Sequence, residues 1–161
     1  KKTDLNALLK KSIRDLKEAI SEKKAVVSVS PFPELNVIPQ QIQQLFANLI
    51  NNSIKYSKVN VIPEIKIQTE QPCSEEITEM GGNPEINYVK ICVSDNGIGF
   101  EKCFESRIFE PFYKLHTSSN YRGSGLGLTL AKKIVANHRG FIKGISEINS
   151  GTTMVIYIPV N

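Results

Sequence analysis

An apolar run, Tyr88-Val89-Lys90-Ile91-Cys92-Val93, leads without a break into Ser94-Asp95-Asn96-Gly97-Ile98-Gly99-Phe100. The first half reads as a β-strand, and the second puts one acid and two glycines at its carboxyl end. In open α/β sheets that end is where ligands bind, so the segment sets both an architecture and a candidate site. On its own, Asp95-Asn96-Gly97 is also an ordinary turn signal. Read functionally, Asp95 could accept the exocyclic amine of adenine, while Gly97 and Gly99 let backbone come close to the ring.

The rest of the chain supplies partners for that strand. Leu5, Leu8, Leu9, Ile13, Leu16 and Ile20 recur at three- and four-residue steps, which predicts one amphipathic helix from Asp4 to about Lys23. A strand over residues 25–30 follows, closed by Pro31-Phe32-Pro33. Pro39 suits the first turn of a second helix to about Ser57, with Ile42, Leu45, Phe46, Leu49, Ile50 and Ile54 on its core face. Ile65-Lys66-Ile67 reads as a strand beside Tyr88–Val93, and the polar stretch from about Glu70 to Asn87 between them is expected to be mobile. A short helical stretch near Lys102 to Ile108, a Gly/Ser-rich loop, a third helix from about Leu126 to His138, and strands Phe141–Glu147 and Thr152–Pro159 complete the pattern. The expectation is an α/β (α+β) two-layer sandwich, a mixed sheet of about five strands packed on three helices.

Composition narrows the function class. A chain of 161 residues with 40% hydrophobic side chains can bury one full core. The net charge of +4 comes from 20 basic and 16 acidic residues interspersed along the chain. That describes a solvated surface and no nucleic-acid stripe. Cys73, Cys92 and Cys103 lack C-x-x-C spacing and neighbouring histidines, so they read as free thiols of a reducing, cytoplasmic compartment. No apolar run approaches the roughly 20 residues that a membrane-spanning helix needs. The start at Lys1-Lys2 suggests a piece cut from something longer, whose parent could be membrane-anchored.

Three further segments carry chemistry. Asn48, Asn52, Lys55 and Tyr56 form a polar stripe beside the apolar face of the second helix. The stripe could simply face water; alternatively, carboxamide oxygens help hold Mg²⁺ while Lys55 and Tyr56 address phosphates. Gly123-Ser124-Gly125-Leu126-Gly127-Leu128 offers unencumbered backbone N–H groups at the start of the third helix, a seat for phosphate or else a flexible linker. Between Phe109 and Gly123, a segment with aromatics at its start and cations near both ends reads as a lid over the phosphates.

The order of these segments resembles the catalytic domain of sensor histidine kinases. Asn48 to Tyr56 (Asn-Leu-Ile-Asn-Asn-Ser-Ile-Lys-Tyr), Asp95 to Gly99, Ile108 to Phe112 and Gly123 to Leu128 look like that family's asparagine, first glycine, phenylalanine and second glycine boxes. The resemblance runs from Asp4-Leu5-Asn6 to Gly151-Thr152-Thr153 and Ile158-Pro159. It implies the Bergerat fold shared with the gyrase, Hsp90 and MutL ATPases, with ATP and Mg²⁺ as ligands. By position it implies Asn52, with Asn48 beside it, on the metal side, and Lys55 and Tyr56 at the phosphates or over the nucleotide. Asp95 would select adenine, and Gly97, Ile98 and Gly99 would flank the base. Phe109 and Phe112 would anchor the lid, and Gly123, Ser124, Gly125, Leu126, Gly127 and Leu128 would border the triphosphate. Lys114 stands where the family often carries arginine, so Arg122 is the candidate for a bidentate phosphate grip.

Relatives that hydrolyse ATP carry a glutamate one turn before the magnesium asparagine, to orient and deprotonate water. Here Asn48 occupies that position and cannot accept a proton, which ranks a kinase above an ATPase, and the intact glycines and Asn52 argue against a degenerate nucleotide-binding module. His116 falls in the lid, and His138 near the end of the third helix reads as a surface or capping residue. The phosphoryl-accepting histidine is therefore expected outside the chain, on a dimerisation and histidine-phosphotransfer domain of the same protein, with a response-regulator receiver domain as the next partner. The fragment is expected to be monomeric and its parent homodimeric.

Overall fold

The computed structural model describes residues 2–113 and 127–160. Its elements are β1 (Lys2–Asp4), α1 (Leu5–Asp15), α2 (Lys17–Lys23), β2 (Val26–Val29), β3 (Glu34–Asn36), α3 (Pro39–Lys55), β4 (Glu64–Glu70), α4 (Ser74–Glu79), β5 (Tyr88–Asp95), a 3-10 turn at Lys102–Phe104, α5 (Gly127–Asn137), β6 (Phe141–Glu147) and β7 (Gly151–Pro159). Five strands form one sheet in the order β2-β4-β5-β7-β6. β2 and β4 run parallel and the other pairs antiparallel, so the sheet is mixed as expected.

β7 is the most deeply buried strand, and its sequence shows why. Side chains alternate across a sheet, so Met154, Ile156 and Ile158 enter the main core while Val155 and Tyr157 enter a smaller cluster on the opposite face. Burial on both faces makes the strand an unbroken apolar run rather than an alternating one. The main core lies between the sheet and α1, α3 and α5: Leu5, Leu9, Ile42, Leu45, Phe46, Leu49, Ile50, Ala131, Ile134 and Val135 meet Ile65, Ile67, Ile91 and Val93.

α3 enters through Pro39 in its first turn and is capped at its far end by Lys23, whose ammonium donates to the Ile54 carbonyl (3.1 Å) and the Ser57 hydroxyl (3.0 Å). A cation on the last carbonyls suits the negative end of a helix dipole. The single helix expected over residues 4–23 is two. Leu16 leaves helical geometry (φ −100°, ψ 14°) and its N–H bonds back to Ile13, so α2 departs at an angle that brings Lys23 to the end of α3.

Two further elements escape the pattern. β1 and β3 pair antiparallel in a two-stranded sheet of their own, too short for a period of two to register. The stretch expected to be mobile contains α4, whose Ile77 is buried with Tyr88, Val155 and Tyr157 on the outer face of the sheet. Glu76 fastens it there, accepting from the Tyr157 hydroxyl (2.6 Å) and pairing with Lys90 (2.6 Å). His138 caps, as read from the sequence: Nδ1 lies 2.8 Å from the Ile134 carbonyl, and Nε2 accepts the Ile38 N–H at 3.0 Å. Since a backbone N–H can only donate, Nε2 is the acceptor and Nδ1 carries the proton. The ring thereby joins the end of α5 to the start of α3.

Candidate functional site

At the carboxyl end of β5, Asp95 turns its carboxylate back toward the chain. Oδ1 accepts the N–H of Gly97 (3.0 Å) and the N–H of Thr152 (3.1 Å). Burial pushes the Asp95 pKa up, and the Gly97 and Thr152 N–H groups, with the nearby Ser53 hydroxyl, oppose that by favouring the charged form. A half-buried carboxylate held from its own loop and from β7 is a fixed acceptor.

The loop beyond Asp95 is pressed between two backbones. The Ile98 N–H bonds to the carbonyl of Tyr56 (3.0 Å) at the end of α3, and the Ile98 carbonyl accepts from Asn149 (2.8 Å) in the β6–β7 turn. A Cβ at Gly97 would lie 2.5 Å from the Tyr56 carbonyl oxygen, and one at Gly99 would lie 2.1 Å from that of Glu147. Gly99 also has φ +63°, in the left-handed region. The glycines are thus required by contacts inside the protein, whatever ligand approaches from outside.

The phosphate-side residues meet across the helix layer. The Asn48 carboxamide on α3 donates to the carbonyl of Gly127, the first residue of α5, at 3.4 Å. Asn52 lies one turn further along α3, half-buried; Lys55 sits over the Tyr56 ring at 5.1 Å; Leu128 packs against the main core. Phe109 is buried, its carbonyl accepting from the Thr129 hydroxyl of α5 (2.9 Å) with Lys132 over its ring. Phe112, expected to anchor beside it, is 71% exposed and has φ +61°. Lys114, His116, Arg122, Gly123, Ser124, Gly125 and Leu126, with most of the expected lid, lie outside the described residues.

Sequence reasoning passed over Thr152 and Ser53. Thr152 acts through its backbone, so no side-chain signal could mark it. Ser53 left a trace: it falls three residues after Ile50 and four after Leu49, on the apolar face of α3, where a buried hydroxyl needs a partner.

A mixed five-stranded sheet with a helix layer on one face, a half-buried acid at a strand end and asparagines along a helix of that layer define a nucleotide-binding α/β sandwich. The chain belongs to the family of histidine kinase-, DNA gyrase B- and HSP90-like ATPases, whose model matches residues 37–161. It is 35% identical over 158 residues to cyanobacterial phytochrome A of Nostoc sp., spanning 98% of this chain and 19% of that protein. To the signal transduction histidine-protein kinase ArlS of Staphylococcus aureus it is 36% identical over 125 residues, covering 76% of this chain and 24% of the kinase. The chain therefore spans about a fifth to a quarter of these relatives' length. Its fold matches that of the mycobacterial sensor histidine kinase MprB with a TM-score of 0.78 at 19% identity, covering 100% of this chain and 97% of that one. Among the described residues no helix is long and apolar enough to cross a membrane.

Proposed function

We propose that residues 1–161 form one ATP-binding catalytic domain of a two-component sensor histidine kinase. It binds Mg-ATP and transfers the γ-phosphoryl group to a histidine on a dimerisation helix outside this chain, for relay to a response-regulator aspartate. The observation that carries the reading is the environment of Asp95. A carboxylate offers about four lone-pair sites, and here two, both on Oδ1, are taken by the N–H groups of Gly97 and Thr152, which leaves Oδ2 to accept. One further donor fits. The exocyclic amine of adenine supplies one; guanine would present a carbonyl oxygen to the same lone pair, acceptor against acceptor.

On the phosphate side, the carboxamide oxygens of Asn48 and Asn52 are hard neutral ligands of the kind Mg²⁺ takes. The first turn of α5, beginning at Gly127, presents the backbone N–H groups of a helix N-terminus, which suit anionic oxygen. Bound metal would neutralise phosphate charge; this chain's residues hold and orient the nucleotide. Asn48 cannot take a proton from water, which favours transfer over hydrolysis. An imidazole acceptor is itself nucleophilic and can be served by a base on its own helix. Transfer makes a phosphorus–nitrogen bond, breaks the bond from the γ-phosphorus to its bridging oxygen, and releases ADP. The cytoplasm, where ATP and reduced thiols coexist, is the matching compartment. The isolated domain would be a monomer, dimerisation belonging to the helices of the parent.

Isothermal titration with ATP and then GTP, each with and without Mg²⁺, tests this directly. Magnesium-dependent preference for ATP is expected, and Asp95→Ala should weaken ATP binding by about 1.5–3 kcal/mol, the value of a hydrogen bond to a charged group. Failure to bind either nucleotide would sink the kinase reading.

A further inference from the structure

We infer that Thr129 is a positioning residue for the phosphate end of the site: its hydroxyl braces the first turn of α5 against the Phe109 carbonyl and so aims that turn at the phosphates of the nucleotide. This rests on the reading of the α5 N-terminus as the phosphate seat.

Thr129 is the third residue of α5 and is half-buried. A helical threonine often returns its hydroxyl to a carbonyl one turn back in its own helix. This hydroxyl donates instead, at 2.9 Å, to a carbonyl twenty residues earlier in the chain. Phe109 makes a firm abutment. Its side chain is buried, and its neighbour Ile108 is seated against β6, where a Cβ added at Gly144 would lie 2.7 Å from the Ile108 Cδ1. Three residues along α5 from Thr129, on the same helix face, Lys132 lies over the Phe109 ring at 5.8 Å. One face of α5 therefore holds both the backbone and the ring of Phe109. On the α3 side, the Asn48 carboxamide reaches the Gly127 carbonyl at 3.4 Å, a length at which a hydrogen bond is weak. The better-formed brace is the one from Thr129. Backbone N–H groups at a helix start point along the helix axis, so a tilt of the first turn costs phosphate contacts while leaving the Asp95 end of the site untouched.

The test is titration of wild type, Thr129→Val and Thr129→Ser with Mg-ATP and with adenosine, which carries the base but no phosphate, after thermal unfolding has verified that each is folded. Thr129→Val keeps the branched shape and deletes the donor. It should bind ATP about fivefold more weakly, the scale of one net hydrogen bond, with its affinity for adenosine unchanged. Should the valine variant fail to fold, Thr129→Ala carries the same expectation. Thr129→Ser should restore ATP affinity; a loss as large as that of Thr129→Val would make the methyl group the brace and overturn the inference. Equal weakening of both ligands, the mark of a merely structural threonine, overturns it too, as does unaltered ATP affinity. The underlying reading fails separately. Wild type that binds ATP no more tightly than adenosine would show that phosphates gain nothing at α5, whereas a wild-type preference for ATP that survives undiminished in Thr129→Val rejects the role of Thr129 alone.

Discussion

Single atoms decide whether the nucleotide loop can form. At Gly99 a Cβ would meet the Glu147 carbonyl at 2.1 Å, in a backbone conformation (φ +63°) that side chains avoid. Gly99→Ala should destabilise the domain by about 2–4 kcal/mol, combining left-handed strain with overpacking against backbone. Urea unfolding would read this, and a loss below about 0.5 kcal/mol would show that the β6–β7 turn yields. At this scale the sequence was legible where a residue type is unusual for its place: Asp95 after an apolar strand, asparagines beside an apolar helix face. It was illegible where backbone does the work, as at Thr152. The glycines were legible as requirements, but the requirement comes from Tyr56 and Glu147, forty or more residues away along the chain, which no local pattern contains. Phe112 illustrates the converse: its motif position suggests an anchor, and the structure gives it 71% exposure and a left-handed backbone (φ +61°).

Among elements, α4 departs furthest from what its sequence advertises. Six residues offer one buried apolar side chain, Ile77, so periodicity has nothing to count, and the N-cap is Cys73, outside the usual set of capping residues. What holds it is long-range. Burial raises the Glu76 pKa, but hydrogen bonds from Lys90, Tyr157 and the Cys73 N–H outweigh it and bring the carboxyl down to about 2 from an ordinary 4.5. The same pair raises the Lys90 pKa, through the Glu76 hydrogen bond against the cost of burial. A depressed carboxyl pKa contributes stability that is fully present above the unfolded value and is lost as pH falls from about 4.5 toward about 2. At neutral pH, Glu76→Gln should remove most of that contribution, so the amides of α4 should exchange faster with deuterium while those of α3 keep their protection. Unchanged exchange in α4 would show that Ile77 alone anchors it. α3, α5 and the five main strands, by contrast, declared themselves through helical periodicity and apolar runs, with boundaries off by one or two residues except at β4, which runs three residues past Ile67.

For the molecule as a whole, the layer architecture followed from alternating helices and strands, and strand order did not, because register and neighbour choice are settled by contacts between distant segments. One consequence of that order concerns how the site comes into being. β2 and β4 are parallel neighbours, so α3 is their crossover connection, tethered at both ends to adjacent strands of one sheet. Such a connection cannot peel away as a terminal helix does; freeing it requires the strands beneath to part. The amides of α3 should therefore exchange only through global opening, with free energies equal to that of complete unfolding, whereas local fraying of α3 at lower cost would contradict this. Parallel pairing also demands closure of a long loop before it returns any contact energy. The binding helix is accordingly a late arrival on the folding route, and a nascent chain would acquire affinity for its nucleotide in a single step, when the last topological link closes.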